Sequence, residues 1–589
     1  MELIRQNDLC FGQTGGWARA RASLIMKIAA IKQVNRLYDD TLSYPGPYPE
    51  GLLHNLQVSY ETFPEELEHI PRSGAAIVVA NHPTGALDGI VLIDLLSKLR
   101  PDVRFMGNFL LSRIGPLNRF FISVDPFDSK AQSNISGLRE SIRHLQQGGM
   151  LVIFPAGEVA TWQRGFKEVK DREWPMSVMK FIRRAQVPVI PLHIEASNSV
   201  WFRLAGKIHP SLRTLLLPRE LMNKSGNRVP VRVASAVLPQ KTAVLTDEAY
   251  GNYLRAGVEY LKPERKKHRR RIIARRPGSS PERICDEISS EALAVELDRI
   301  RMQRLLFSYR EFEVYCAPYD EIPLMMRNIG ALRERTFREV GEGTKREIDT
   351  DRFDRYYLHL FVWDGKERRL VGAYRLGMGD EIIRRYGVRG FYTHTLFRMS
   401  RRMGPTLKQT IELGRSFIVK EYQRKPASLM LLWKGILHVL LANTQYRYLL
   451  GPVTISGSFH PVSRRVIAAY VGGCYLDREK SRWIRPRTGL DIPVRIDESL
   501  IAEVSQFELI NKLVCDIERN HFSVPVLIRK YLQLNSSVLG FNTDHDFNGS
   551  LDALMLLDLK QVPEDTIRML AKELDHIDVL SRFRAYRES

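Results

Sequence analysis

The chain has 589 residues, of which 44% are hydrophobic and 26% charged, which excludes an intrinsically disordered protein and predicts two or three domains. The net charge of +21 predicts an anionic partner, for which nucleic acid, acidic phospholipid and an acidic carrier protein all qualify. Scattered cysteines, no apolar run of roughly 18–20 residues and no secretory signal indicate a cytoplasmic protein without disulfides or a membrane span.

Residues 1–45 are predicted to be a basic amphipathic N-terminal segment. Apolar residues recur near one face of a helix predicted over 23–38, and Lys27, Lys32 and Arg36 lie off that stripe. Such a helix can lie in an anionic membrane surface, or it can pack on its own domain. The sequence leaves both interpretations open.

Residues 46–260 show alternating strand and helix patterns. Buried strands are predicted over 75–80, 151–154 and 187–194, and a helix over 89–99. Together these patterns predict an α/β domain in which helices cover a largely buried sheet.

A basic linker over 261–300 follows this region. Residues 262–276 hold nine Lys or Arg against one Glu, and Pro277-Gly-Ser-Ser-Pro281 comes next. The basic run is either a solvated linker or a contact with an anionic membrane, worth about 1 kcal/mol per charge. Nucleic-acid binding is the weaker alternative because no aromatic residue is interleaved and no groove-reading motif accompanies the run. We therefore expect no nucleic-acid partner.

A second α/β region extends over 301–589. Strands are predicted over 357–363, 370–376 and 448–455. No internal repeat relates the two regions, so the chain is predicted to hold two different α/β domains.

The segment Asn81-His-Pro-Thr-Gly-Ala-Leu-Asp88 joins a predicted strand to a predicted helix and holds the candidate catalytic pair, His82 and Asp88. A hydroxyl that attacks a thioester needs a base to remove its proton, and a neutral imidazole is the commonest base near pH 7. Asp88 can accept from the other ring nitrogen, fix the tautomer and stabilise the imidazolium. Gly85 permits the tight turn that brings the two side chains together.

Four blocks in order resemble those of the glycerolipid acyltransferases, and the resemblance covers roughly residues 60–220. The blocks are 81–88, 115–126, 154–158 (Phe-Pro-Ala-Gly-Glu) and 187–191. The resemblance implies an O-acyltransferase domain whose substrate-binding residues are Asn81, Arg119, Phe154, Pro155, Gly157 and Glu158.

The chain departs from that family's pattern in three places. Five residues separate His82 from Asp88, where the commonest pattern has four, and this variant resembles the haemolysin-like branch. Ala156 occupies the usual acidic position of the third block. Arg119 is only a candidate for the expected arginine of the second block, which makes a non-phosphate acceptor plausible.

Five motifs within 331–420 resemble those of the acyl-homoserine-lactone synthases and of their relatives, the ornithine N-acyltransferases, which share a GNAT-like fold. They are Leu332-Arg-Glu-Arg-Thr-Phe337, Asp351-Arg-Phe-Asp354, Gly372-Ala-Tyr-Arg375, Thr393-His-Thr395 and Glu412-Leu-Gly-Arg415. The resemblance implies a fatty acyl chain held between splayed strands, and substrate contacts at Arg333, Phe337, Asp351, Asp354, Arg375 and Arg415.

The residue types in these motifs suit the acylation of an amine. The α-amine of an amino acid has a pKa of roughly 8 and is mostly protonated at pH 7. Glu412 is the predicted general base, acting directly or through water. Asp351 and Asp354 suit a cationic substrate, and the guanidinium groups of Arg375 and Arg415 suit its carboxylate.

The combination of both domains is similar to the bacterial bifunctional ornithine-lipid synthases. The resemblance implies N-acylation of ornithine from a 3-hydroxyacyl carrier protein by the second domain, followed by O-acylation of the 3-hydroxyl of the lyso-ornithine lipid by the first. The co-substrate would be an acyl carrier protein with its chain on a phosphopantetheine thioester, and no cofactor would be bound. The intermediate is an amphiphile, so the protein is expected at the inner face of the cell membrane.

Two alternatives remain. One keeps the chemistry and changes the acceptor to glycine, glutamine, lysine or a lysophospholipid. The other is a non-enzymatic protein that binds membranes or nucleic acid. No metal site is predicted, because Asp544, His545 and Asp546 are interpreted as a capped turn.

Overall fold

The chain forms two compact units in a computed structural model. The structure describes residues 4, 16–107, 114–124, 132–163, 168–202, 205, 210–262, 281–492, 496–518, 522–545, 547–571, 581 and 583–584. The first unit comprises Met1–His268 and Asp497–His521, and the second comprises Arg269–Ile496 and Phe522–Ser589. Most of the basic run over 262–276 lies outside the described residues.

The elements are numbered in chain order. The strands are β1 Ser59–Glu61, β2 Ala76–Ala80, β3 Val103–Gly107, β4 Phe121–Ser123, β5 Met150–Ile153, β6 Thr161–Gln163, β7 Glu168–Lys170, β8 Val189–Ile194, β9 Arg228–Val233, β10 Leu305–Tyr309, β11 Phe312–Pro318, β12 Leu358–Asp364, β13 Arg369–Met378, β14 Phe397–Met399, β15 Thr410–Ile418, β16 Tyr448–Ile455, β17 Ile484–Pro486, β18 Ser537–Asp544 and β19 Ser550–Asp558.

The helices are α1 Gly16–Ile28, α2 Ile31–Leu42, α3 Tyr48–Asn55, α4 Pro64–Leu67, α5 Ala86–Ser97, α6 Gln132–Gln146, α7 Met176–Arg184, α8 Pro210–Met222, α9 Pro239–Thr242, α10 Asp247–Glu259, α11 Ser290–Arg304, α12 Pro323–Glu339, α13 Gly379–Tyr386, α14 Thr393–Leu396, α15 Gly404–Lys408, α16 Pro426–Ala442, α17 Pro461–Tyr475, α18 Ser499–Ala502, α19 Phe507–Ile517, α20 Val526–Gln533 and α21 Glu564–Ala571. No helix among the described residues is both long and apolar enough to cross a bilayer.

The first unit is built on a seven-stranded sheet in the order β1-β9-β8-β2-β5-β3-β4. Neighbouring strands are parallel except for the antiparallel pair β8–β9. All five residues of the central strand β2 are buried, as its run of Ala, Ile and Val predicts for a strand covered on both faces. The carboxyl end of β2 runs directly into the segment that begins at Asn81.

The predicted elements agree with this architecture. The strand predictions over 75–80, 151–154 and 187–194 are confirmed as β2, β5 and β8, and the helix prediction over 89–99 as the larger part of α5. The single helix predicted over 23–38 is wrong, because α1 and α2 meet at Ala30 in the left-handed conformation, with φ 56°. An alanine has no side-chain feature that favours this conformation, so the sequence carries no signal of the break.

Residues 497–518 belong to the first unit, whereas the predicted second domain over 301–589 included them. Asp516 accepts hydrogen bonds from the backbone and the hydroxyl of Ser235, at 3.1 and 2.9 Å. Lys512 donates to the Ser235 carbonyl at 2.6 Å and lies 3.0 Å from the Asp516 carboxylate. These contacts join the end of β9 to α19, which follows it by more than 270 residues in the chain.

The second unit is built on an eight-stranded sheet in the order β10-β11-β12-β13-β15-β16-β19-β18. Among the neighbouring strands of this sheet, only β15 and β16 are parallel. Their pairing extends over three residue pairs and ends at Glu412 and Leu450, although both strands continue to Ile418 and Ile455. The two strands therefore separate in the middle of the sheet. The predicted strands over 357–363, 370–376 and 448–455 are confirmed as β12, β13 and β16.

Candidate active sites

His82 and Asp88 lie together between β2 and the first turn of α5. The Nδ1 atom of His82 is 3.0 Å from Oδ2 of Asp88, and the His82 side chain is 20% exposed while that of Asp88 is fully buried. Gly85 has φ 97°, a conformation that favours glycine, and it reverses the chain between the two residues. The local pairing predicted from the sequence is therefore present in the structure.

Asp88 is stabilised by donors from its own loop. Its Oδ2 atom accepts from the backbone N–H groups of Thr84 and Gly85 at 2.8 and 2.9 Å, and its Oδ1 atom accepts from the Thr84 hydroxyl. A fully buried carboxylate is tolerated only with such compensation. The same bonds fix the carboxylate beside the imidazole, where it can orient the ring and stabilise a charged form.

Both backbone polar groups of His82 are hydrogen-bonded. Its N–H donates to Oδ1 of Asp171 at 3.2 Å, and its carbonyl accepts from the N–H of Ala160 at 2.8 Å. The ring stacks on Phe154, with centroids 4.3 Å apart. Burial raises the pKa of Asp171 to about 6. Asp171 was not predictable from the sequence because it is 89 residues from His82.

The other predicted residues of the first unit have diverse surroundings. The Asn81 side chain pairs with the backbone of Ile194, donating at 2.9 Å and accepting at 2.7 Å, and so ties β2 to β8.

Glu158 lies 2.8 Å from the Arg172 guanidinium and also pairs with Arg213. Pro155 is buried and Gly157 is exposed in the turn after β5, and Arg119 is exposed against the ring of Phe120. Their predicted contacts with substrate stay predictions.

Glu412 lies in β15 at the last residue pair before the strands separate. Its carboxylate accepts from the N–H groups of Tyr392 and Thr393, at 3.0 and 2.6 Å, and from the hydroxyl of Tyr357. The residue is 1% exposed, and burial raises its pKa. These hydrogen bonds hold the backbone at 392–393 next to Glu412. Direct proton removal by Glu412 would displace one of these donors, so its role as base stays a prediction.

Three arginines and three aspartates form a compensated group beside Glu412. The buried guanidinium of Arg333 lies 3.0 Å from Asp349 and 3.1 Å from Asp354. Arg375, 1% exposed, lies 2.7 Å from Asp351 and 3.1 Å from Asp354. Their mutual neutralisation explains how so many charges can be buried together.

Arg415 and Asp351 are the accessible members of that group. Arg415 is 12% exposed, and its guanidinium lies 3.6 Å from Asp349 and 3.8 Å from Asp351, which is itself 24% exposed. It stacks on Tyr392 at 5.4 Å, and its φ of 50° marks an irregular residue of β15 beyond the last β15–β16 pair. Arg333, Arg375 and Asp354 are buried within this group, and their predicted substrate contacts stay predictions.

The remaining predicted features are less informative. Phe337 is half-buried near the end of α12. Among the predicted capped-turn residues, Asp544 ends β18 and His545 lies 3.2 Å from Asp491, while 546 is outside the described residues. In the described part of the chain, no group of three or more His, Cys, Asp or Glu side chains could hold a metal ion.

Comparison with known proteins matches each unit to an acyl-transfer family. Residues 47–268 match the family described as "Acyltransferase", and residues 332–434 match the "Acetyltransferase (GNAT) domain". The chain therefore holds an acyltransferase domain followed by a GNAT domain, and it is a two-domain acyltransferase of mixed α/β fold.

Two relatives come from Phocaeicola vulgatus. The chain is 29% identical to a glycine N(alpha)-acyltransferase over 313 residues, which is 50% of this chain and 93% of the relative. It is 30% identical to a lyso-glycine lipid O-acyltransferase over 141 residues, which is 23% of this chain and 47% of the relative. A solved lysophosphatidic acid acyltransferase of Thermotoga maritima is 18% identical, with TM-score 0.24, over 41% of this chain and 93% of its own.

Asp171→Ala tests whether the hydrogen bond from the His82 backbone N–H to Asp171 matters for acyl transfer by the first unit. Loss of the acceptor is expected to lower kcat about tenfold to a hundredfold, because a small displacement of a catalytic group is costly. Asp171→Asn keeps an acceptor oxygen and is expected to retain most of the rate. Steady-state assays with a hydroxylated lipid acceptor measure both. An unchanged rate for Asp171→Ala would contradict this prediction.

Tyr357→Phe tests the environment of Glu412. A donor to a carboxylate lowers its pKa, so removing the Tyr357 hydroxyl is expected to raise the pKa of Glu412 further. If Glu412 must be ionised for acyl transfer by the second unit, the acidic limb of the pH–rate profile then shifts to higher pH. Tyr475→Phe, at the end of α17, is the control. A limb that stays in place or shifts to lower pH would refute this interpretation.

Proposed function

We propose that the chain makes an amino-acid lipid in two acyl transfers: the second unit N-acylates ornithine with a 3-hydroxyacyl chain, and the first unit O-acylates the new 3-hydroxyl. The observation that carries the proposal is the presence of two different sites in one chain. The His82–Asp88 pair suits the activation of an alcohol. Glu412, at the point where β15 and β16 separate, suits the deprotonation of an amine. The order follows from the chemistry, since the hydroxyl acceptor does not exist before the amide is formed.

In the second unit, the amino-acid nitrogen attacks the thioester carbon of the acyl donor. The nitrogen–carbon bond forms, the carbon–sulfur bond breaks, and the sulfur leaves as a thiolate. The attacking amine loses a proton to Glu412, directly or through a water molecule, and that proton passes on to the thiolate. The Tyr392 and Thr393 amides hold Glu412 next to the point of strand separation. Arg415, the accessible arginine, receives the substrate carboxylate.

In the first unit, the 3-hydroxyl oxygen attacks a second acyl thioester. His82 takes the hydroxyl proton and returns a proton to the leaving thiolate. Asp88 keeps the imidazole oriented and stabilises its charged form, and the Phe154 ring fixes one face of the imidazole. The His82 side chain is 20% exposed, so part of the imidazole is open to the reactants.

Glycine is a second candidate acceptor. The relatives reported above are a glycine N(alpha)-acyltransferase and a lyso-glycine lipid O-acyltransferase, and their chemistry is the same pair of transfers on a smaller amino acid. Lysine and glutamine remain further alternatives within the same reaction type. Analysis of the lipids formed when each amino acid is supplied separates these acceptors.

The donor and the location follow from charge. An acidic acyl carrier protein complements the net charge of +21, so we propose acyl carrier protein as donor, with its phosphopantetheine thioester as the reacting group. The same charge suits an anionic membrane surface, where the lyso-lipid resides. The exposed Trp17 and Leu24 of α1, together with Lys27, are candidates for that contact.

Expression in a host that lacks aminolipids tests the two-step assignment. The His82→Ala variant is expected to accumulate the singly acylated lipid, because only the ester step needs the imidazole. The Glu412→Gln variant is expected to make neither product. His54→Ala and Glu367→Gln, at exposed positions, are matched controls. Lipid extracts are compared by mass spectrometry.

Either of two results would overturn the assignment. A His82→Ala variant that still makes the doubly acylated lipid removes the imidazole from the ester step. A Glu412→Gln variant that makes the singly acylated lipid at the normal rate removes the carboxylate from the amide step.

A further inference from the structure

We infer that Asp552, together with Asp544, binds the cationic side chain of a diamino-acid acceptor, so that the second unit prefers an amino acid such as ornithine to glycine. The inference rests on the proposed function and names the acceptor class of the same site. It concerns two acidic residues that the two transfer reactions do not use.

Asp552 lies on the same face of the sheet as Glu412. In the β16–β19 ladder it stands opposite Thr454, which is on the same face of β16 as Leu450 because the two are four residues apart. Leu450 is in turn the partner of Glu412 in the β15–β16 pair. Asp552 therefore faces the region beyond the point where β15 and β16 separate.

The Asp552 carboxylate is buried, and the charged groups that act on it are Asp544, Glu342 and the guanidinium of Arg415. Asp552 is 4% exposed and accepts from the Thr454 hydroxyl at 2.9 Å. No ion pair within 4.0 Å involves Asp552 among the described residues. Burial, with Asp544 and Glu342 nearby, raises the pKa of Asp552 to about 7, and burial with Asp544 raises the pKa of Glu342 to about 7. A cation here would relieve this repulsion.

A buried hydroxyl beside these acids also points to a polar ligand. Ser550 is 1% exposed, and its Oγ atom has no hydrogen-bond partner among the described residues. Ser550 stands opposite Asp544 in the β18–β19 pair and two residues before Asp552, so the three side chains share one face. An ammonium group has three N–H donors, and the Ser550 oxygen and two carboxylates are suitable acceptors.

Arg415 supplies the opposite end of the proposed site. Its guanidinium lies between the rings of Tyr392, at 5.4 Å, and Phe547, at 5.7 Å, and its buried Nε has no hydrogen-bond partner among the described residues. Phe547 belongs to the connection between β18 and β19, which brings Arg415 towards the acidic residues. An acceptor with its carboxylate on Arg415 would place a side-chain ammonium near Asp552. Glycine has no such group.

Ornithine and norvaline, which has the same carbon chain without the δ-ammonium, form the test pair. The purified full chain is assayed with a 3-hydroxyacyl carrier protein and each acceptor. The wild-type chain is expected to favour ornithine over norvaline. Asp552→Asn is expected to lower kcat/KM for ornithine about 30-fold or more, mainly through KM, and to change the value for norvaline less than about threefold. Asp565→Asn, at an exposed position of α21, is the control.

A second variant keeps the test decisive if Asp552→Asn fails to fold. Asp544→Asn, at a half-buried position, is expected to act in the same direction with a smaller loss. Equal losses with ornithine and norvaline in both variants would overturn the inference, because the acids would then only support the fold. A wild-type chain that acylates glycine or norvaline as well as ornithine would also overturn it and leave the proposed function intact. A chain that acylates no amino acid would overturn the proposed function itself.

Discussion

Each unit depends on one buried carboxylate that must be surrounded by hydrogen-bond donors. Asp88 receives two backbone N–H groups and a hydroxyl, and Glu412 receives two backbone N–H groups and a phenol. A buried charge is stable only with such compensation, so the loops that supply the donors have little freedom to move. In the first unit this constraint positions the imidazole of His82. In the second it positions the turn at Tyr392, beside the gap between β15 and β16.

Both sites contain a buried carboxylate that accepts several hydrogen bonds, but the proposed reactions differ. An alcohol is a poor nucleophile until its proton is removed, so the first unit needs a general base that the hydroxyl can reach, and His82 is 20% exposed. An amine needs to lose a proton before attack but is then a good nucleophile. A deeply buried carboxylate, whose pKa is raised by burial, suits the removal of that proton from the amine. The difference in exposure between the two groups is consistent with their separate reactions.

Sequence patterns predicted the features that are local in the chain. The strands at 76–80 and 448–455 were predicted because Val, Ile and Leu runs predict buried strands, and His82 was paired with Asp88 because only five residues lie between them. Features assembled from distant segments were not predictable. Asp171 approaches His82 across 89 residues, and Asp552 lies on the same face of the sheet as Glu412 although it is more than 130 residues later in the chain. The break at Ala30 was also missed, since an alanine gives no signal of a left-handed residue.

The central claim is that an amide-linked 3-hydroxyl is the acceptor for the second chain. The most direct measurement supplies the purified protein with an acyl donor and either N-(3-hydroxyacyl)-ornithine or the same molecule without its 3-hydroxyl, and follows the products by mass spectrometry. Our account predicts that only the hydroxylated acceptor gains a second chain. Equal acylation of both molecules would contradict it, because the oxygen that His82 is supposed to activate would then be unnecessary.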